Sequence, residues 1–232
     1  MQQYLLFIDT ETSGLPKNWN LPYSDDKNWP HAVQISWIIY TSDQQEVKRE
    51  DHYIKDDDFD INAEAFKIHG ITRSFLNMHG EYRKDILQRL ADDLYKYQPL
   101  VVGHFVELDF HITGADFYRT GINQPMDNLP MYCTMLGTTN FLRNPQTRYL
   151  KLNQLYSLLF NRQLSNHHNA MVDALATAEC FFELVRMGSI DDEKIDRQQA
   201  ERLRAKKTSL QSGCSLPFVF LFILTILIAR WL

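Results

Sequence analysis

"FIDTETSG", Phe7 to Gly14, is the stretch on which the reading of this chain turns. An apolar run enters it from Tyr4, and two carboxylates, Asp9 and Glu11, follow at alternate positions. On an extended strand successive side chains point to opposite faces, so Phe7, Asp9 and Glu11 share one face while Ile8 and Thr10 share the other. Two anions held that close repel one another unless positive charge lies between them. Alone, an Asp-x-Glu at a strand end is commonly a solvated edge, so the meaning of the pair depends on what the chain brings to it.

Outward from that strand, Tyr4 to Thr10, the pattern is of sheet first and helices later. A polar excursion from Leu15 to His31, carrying Trp19 and Trp29, is long enough to cover something, and a second apolar strand, "AVQISWIIYT", runs from Ala32 to Thr41. Val47 to Lys55 reads as a third strand. "AEAFKIHGIT" is a short helix stopped at Gly70, and "YRKDILQRLADDLYKY" places Ile86, Leu87, Leu90 and Leu94 at helical spacing before Pro99. Leu100 to Val102 is a short apolar strand of the kind found inside a sheet, and helices are expected at about Leu108 to Thr120, Leu152 to Phe160 and Ala170 to Met187. The fold class is α/β, a mixed sheet flanked by helices.

Two further acids stand where a core would not normally put them. Asp109 opens the helix after the Leu100 strand, with Glu107 two positions before it. Asp173 lies among Ala170, Ala174 and Thr177, small side chains that let a helix approach a sheet closely, and no Lys or Arg follows on that helix before Arg186. His168 stands at the mouth of the same helix, beside His167.

In 232 residues with 44% hydrophobic and 23% charged, there is material for a substantial core, and the net charge of -5 argues against holding nucleic acid by bulk positive charge. It does not exclude a nuclease, because bound cations neutralise an acidic site locally. Cys133, Cys180 and Cys214 form no CxxC pattern, which excludes a disulfide framework or a zinc site of that kind and suits a reducing, cytoplasmic setting. After Gly188 the chain becomes highly charged, as a solvated helix or linker from 189 to 213. Leu216 to Ala229 is then apolar and follows the basic "RLRAKK", Arg202 to Lys207, so 214–232 is expected to anchor the domain 1–188 to a membrane, the competing reading being a buried or partner-binding helix.

Taken together, "FIDTETSG", "GHFVELD" and "HNAMVDALAT" resemble, in order and spacing, the three motifs of the DnaQ-like 3′-to-5′ exonucleases of the DEDDh type, a group that includes the epsilon subunit of bacterial DNA polymerase III. The resemblance covers about Tyr4 to Met187 and implies an RNase H-like fold. Matched position by position, Asp9 and Glu11 fall on the first motif, Asp109 on the second, and Asp173 with His168 on the third. The second motif departs from the usual His-Asn opening, because Phe105 follows His104, and Glu107 is the alternative to Asp109.

The resemblance implies two divalent ions, Mg²⁺ or Mn²⁺, held by the four acids, and His168 as general base, since an imidazole with an unperturbed pKa of roughly 6.5 can take a proton near neutrality. The hard oxygen ligands suit those ions. Thr12, Leu15, His104 and Phe105 are the candidate substrate-binding residues, with Leu15 and Phe105 packing against bases unless they are simply core. Arg143, Arg148, Lys151 and Arg162 are candidates to guide a strand. The implied partner is a single-stranded or frayed 3′ end of DNA, with RNA as the alternative, and a DNA polymerase or repair complex beyond it; a non-catalytic binding module is the reading from a different class.

Overall fold

The computed structural model describes residues 2–142 and 148–211. Arg143, Cys214 and the apolar run expected to anchor the chain lie outside the described residues, and among those described no helix is long and apolar enough to cross a membrane. Five strands form one mixed sheet in the order β3-β2-β1-β4-β5, where β1 is Tyr4–Thr12, β2 Ala32–Thr41, β3 Glu46–Tyr53, β4 Leu100–Gly103 and β5 Met131–Cys133. The first three strands are antiparallel neighbours, and β1–β4 and β4–β5 are parallel. The helices are α1 (Ala63–His69), α2 (Arg73–His79), α3 (Arg83–Tyr97), α4 (Val106–Thr120), α5 (Thr134–Gly137), α6 (Leu152–Phe160), α7 (Ala170–Arg186) and α8 (Asp192–Gln211).

β1 is central because it is apolar on both faces. Leu6 and Ile8 belong to one core layer with residues of α3 and α4, such as Leu87, Leu90, Ile112 and Phe117. Leu5 and Phe7 belong to the other, with Leu155, Phe181 and Leu184 of α6 and α7. All four are fully buried, each burial contributing about 1.5–3 kcal/mol against exposure. A strand so fixed delivers whatever follows it, here Asp9 and Glu11, to a set place at the end of the sheet.

The excursion between β1 and β2 covers α4. Trp29 stacks on His111 with ring centroids 5.1 Å apart, and its indole N–H donates to the carbonyls of Leu21 and Pro22. Arg119 of α4 donates to the carbonyl of Trp29 at 2.6 Å and to Asp116 Oδ1 at 2.7 Å. The turn after β1 rests on the start of α1: the Asn62 N–H donates to the Ser13 carbonyl at 3.0 Å, and a Cβ on Gly14 would lie 2.5 Å from Asn62 Nδ2. A side chain at position 14 would require the Asn62 amide, which caps α1 through the Ala65 N–H, to shift.

Three elements were not foreseen. α2 follows directly on the Gly70 turn with Thr72 as its cap, its hydroxyl accepting from the Phe75 N–H. β5 and α5 are too short to leave a periodic signal. The charged segment after Gly188 is a helix, as one of its two readings had it, and its first half is docked rather than solvated. Ile190 and Ile195 are buried in the core layer under α7, and Gln198 and Gln199 accept from the backbone N–H groups of Cys133 and Met131. Two glutamines thus occupy the outer edge of β5 where a sixth strand would otherwise pair.

Candidate active site

Three elements converge at the C-terminal end of β1. The strand itself carries Asp9 and Glu11. The chain leaves β4 through Phe105, whose left-handed backbone (φ 72°) turns it into α4 and sets Asp109 on the first turn of that helix. Asp109 is buried, and the Thr10 hydroxyl donates to its Oδ1 at 2.8 Å. Glu107 is elsewhere, 3.1 Å from His111 and 3.8 Å from Arg202. Of the two acids in the second motif, Asp109 joins the cluster.

The third element is α7, which starts at Asn169, whose side chain accepts from the Val172 N–H. His168 just before it has a left-handed backbone, φ 66°, and its N–H donates to Asp173 Oδ2 at 2.9 Å. The other oxygen, Asp173 Oδ1, is buried without a hydrogen-bond partner. One ligand atom each of Glu11, His168 and Asp173 lies within 4.8 Å of the others. His167 beside them is exposed, its ring edge-on to that of His168.

The electrostatics are those of crowded anions. Burial, followed by the charges of Asp109, Asp173 and Glu11, holds Asp9 well above the usual carboxylate range. Burial and the charges of Asp173 and Asp109 push Glu11 up to about 8. Burial lifts Asp109 to about 7 against the opposing Thr10 hydrogen bond, and lifts Asp173 to about 6 against the His168 N–H. His168 is lowered, chiefly by burial and then by His167, Lys151 and His69, which keeps its imidazole neutral near pH 7. Among the described residues no Lys or Arg forms an ion pair with any of the four acids. A buried oxygen without a partner, a hard-oxygen donor set and uncompensated negative charge fit a divalent cation of the Mg²⁺ or Mn²⁺ kind.

The substrate-binding candidates separate. Leu15 is exposed, 42% of its surface open. The Thr12 hydroxyl donates to the Gly14 carbonyl at 2.6 Å and so holds the turn. Phe105 is half-buried against Trp19, ring centroids 5.9 Å apart. His104 departs from the expectation of a substrate contact: it is buried, with Nδ1 2.9 Å from the Thr134 hydroxyl and Nε2 2.9 Å from the Leu150 carbonyl. With both nitrogens engaged inside the protein, it braces the turn between β4 and α4. Lys151 occupies the N-cap position of α6, its backbone N–H donating to Gln154 Oε1 at 2.9 Å, and Arg162 pairs with Glu179 at 3.2 Å.

Two residues at the site escaped sequence reasoning, Gln34 and Tyr53. Gln34 Oε1 accepts from the Ala170 N–H at 3.1 Å, and the Tyr53 hydroxyl is 3.4 Å from Asn169 Nδ2. The signal for Gln34 was there to be read: a single amide inside the apolar run "AVQISWII".

A mixed sheet with acids from β1, α4 and α7 gathered at one end defines a candidate hydrolytic centre, and the comparisons give its family. The exonuclease family of the RNase T type matches residues 6–181. The chain belongs to this exonuclease family, the DnaQ-like enzymes whose DEDDh pattern its three motifs resemble. Among curated protein sequences none matches significantly. Among solved structures, Escherichia coli exonuclease I in complex with a dT13 oligonucleotide shares 22% identity at a TM-score of 0.64, covering 93% of this chain and 47% of that one. The zinc-bound form of the E. coli exonuclease I complex with single-stranded DNA shares 22% at a TM-score of 0.67, covering 90% and 45%. Apo exonuclease I shares 20% at 0.65, covering 90% and 47%. The chain therefore spans less than half the length of the structures it matches.

Proposed function

We propose that this chain is a divalent-metal-dependent 3′-to-5′ exonuclease that hydrolyses phosphodiester bonds at the 3′ end of single-stranded or frayed DNA. The observation that carries the reading is the convergence of Asp9, Glu11, Asp109 and Asp173 with no Lys or Arg in an ion pair with them among the described residues, next to a neutral His168. Two Mg²⁺ or Mn²⁺ ions held by the four acids would polarise the phosphoryl oxygens and acidify the attacking water.

The chain's own residues supply the remainder. His168 accepts the proton of the attacking water as its oxygen adds to phosphorus and the bond to the departing 3′ oxygen breaks, that oxygen taking a proton from solvent, which leaves a nucleoside 5′-monophosphate and a shortened strand with a 3′-hydroxyl. Its lowered pKa suits a base that must be unprotonated near neutrality. Thr10 holds the Asp109 carboxylate in one orientation, and the His168 N–H does the same for Asp173. Exposed Leu15 and half-buried Phe105 offer apolar surface for the terminal bases.

DNA is favoured over RNA because the E. coli exonuclease I structures hold dT13 and dA16 oligonucleotides. We also propose that residues 1–188 are the catalytic domain, that 189–213 extend it, and that 214–232 attach it to a membrane. A polymerase or repair complex as partner rests on the resemblance to the epsilon subunit alone.

The test is digestion of DNA and RNA oligonucleotides labelled at the 5′ end, with Mg²⁺ or Mn²⁺, using the chain and its Asp9→Ala and His168→Ala variants. A metal-dependent ladder shortened from the 3′ end, faster on DNA and lost in both variants, is the expected result. A faster RNA ladder would reassign the substrate, and oligonucleotide binding without any product would point to a binding module.

A further inference from the structure

The loop that carries His168 is unusual backbone, since Asn166 and His168 both take left-handed angles (φ 55° and 66°) without being glycine. Such a conformation persists only where its surroundings over-determine it. The surroundings come from the neighbouring strands β2 and β3, on the face of the sheet that carries Glu11. Gln34 sits opposite Glu11 in the β1–β2 ladder and is fully buried. Its Oε1 accepts from the Ala170 N–H, the first helical residue of α7, across 136 positions of sequence. Its Nε2 donates at 2.8 Å to Asp51 Oδ1, which also accepts from the Ser36 hydroxyl at 2.7 Å. The carboxylate on one side and the N–H on the other permit only one orientation of the amide, so Asp51 fixes which end of Gln34 faces α7. Tyr53, on the same strand as Asp51, adds the contact to Asn169.

We propose that Gln34, oriented by Asp51, is a positioning residue that sets His168 and Asp173 against Glu11 and so governs turnover. Gln34 touches no reacting atom. It joins the strand that faces the first motif to the start of the helix that carries the third, and the distance between those two motifs is what proton transfer depends on. The proposal rests on the exonuclease reading for its kinetic part and stands apart from it for its structural part.

The experiment compares the chain with Gln34→Leu, which removes the acceptor and leaves the Ala170 N–H buried and unpaired, and with the double variant Gln34→Glu with Asp51→Asn, which keeps an acceptor toward Ala170 and moves the donor of the Gln34–Asp51 contact to position 51. Two readouts are taken: kcat and KM on a 5′-labelled DNA strand, and amide hydrogen exchange at Ala170 relative to the global rate. In Gln34→Leu, kcat is expected to fall about 10- to 100-fold with KM little changed, as for a residue that supports a metal-site ligand, and Ala170 is expected to exchange faster than residues of the core strands. The double variant Gln34→Glu with Asp51→Asn is expected to recover most of both, whereas Gln34→Glu alone sets two carboxylates against each other and is not expected to. Full kcat in a folded Gln34→Leu would overturn the proposal, as would unaltered exchange at Ala170. Equal losses in both variants that follow a uniform rise in exchange would reduce Gln34 to a stability residue and overturn it too. If the wild-type chain has no nuclease activity, the functional reading fails, and the exchange comparison still decides whether Gln34 holds the loop.

Discussion

Two groups of buried charge lie in this molecule, and they are built on opposite plans. Around Asp116, which is wholly buried, the protein provides its own cations. Arg119 lies at 2.7 Å, Arg83 at 3.4 Å, and the Ala32 N–H donates at 3.1 Å. Arg83 continues the network to Asp58 at 2.7 Å, holding that carboxyl down to about 2, and donates to His31. At the end of β1 four acids gather and, among the described residues, no Lys or Arg forms an ion pair with them. A buried charge without a partner is expensive, and a protein that can surround Asp116 with arginines has not done so at Asp9. The difference marks the first group as architecture, tying the Trp19–Trp29 loop to α4, and the second as a site whose balance arrives from outside.

The sharpest way to break that comparison is to remove the acids. Asp9→Asn and Asp173→Asn should each cost at least about 10³-fold in turnover, because the charge stabilisation a metal supplies is several kcal/mol and each 1.36 kcal/mol is tenfold. Quenched-flow digestion of a labelled strand measures it, and turnover within tenfold of wild type would detach that acid from the chemistry. His168→Ala should lower kcat by about 10²–10⁴, the usual worth of a positioned base, while leaving Mn²⁺ affinity close to wild type.

The self-balanced group should respond in stability instead. Arg119→Met strips Asp116 of its shortest partner and two loop carbonyls of theirs, and should destabilise by about 3–5 kcal/mol in urea unfolding. Loss of less than 1 kcal/mol would mean that Arg83 alone suffices for Asp116. The smallest effect is on pH dependence without metal. Glu11, Asp109 and Asp173 bind protons more tightly folded than unfolded, with values of about 8, 7 and 6, so the unfolded state is favoured as pH rises through that range. In chelator, Tm should therefore rise on going from pH 8 to pH 6, and Glu11→Gln should flatten the slope and be more stable than wild type at pH 8. Asp58 works in the opposite sense, its contribution lost only below the ordinary carboxylate range, outside that window.

Much of the site was legible in the sequence because its parts are local. The alternation of β1 placed Asp9 and Glu11 on one face, and the alanines around Asp173 marked a helix face meant for close approach. The position of Asp109 was legible for the same reason, while the Thr10 hydroxyl that fixes it lies 99 positions away and left no pattern. His104 misled because its residue type and place beside the second motif say nothing of burial, which comes from Thr134 and Leu150 far along the chain. The fold divides likewise. β1 to β4 and the long helices show periodicity, whereas β5 has three residues, and the segment from Ile190 into α8 docks through two isoleucines and two glutamines within a strongly charged run. Gln34 was visible as an oddity, but only the contact to Ala170 gives it meaning.

The most direct test of the claim that the acidic group is a cation site is calorimetric titration of the chain with Mn²⁺ at pH 7, repeated in buffers of different ionisation enthalpy. The account predicts binding of two ions with net proton release, because Glu11 and Asp109 hold protons that a metal must displace, and loss of at least one ion in Asp9→Asn. Absence of binding, or binding that Asp9→Asn leaves untouched and that releases no protons, would contradict it.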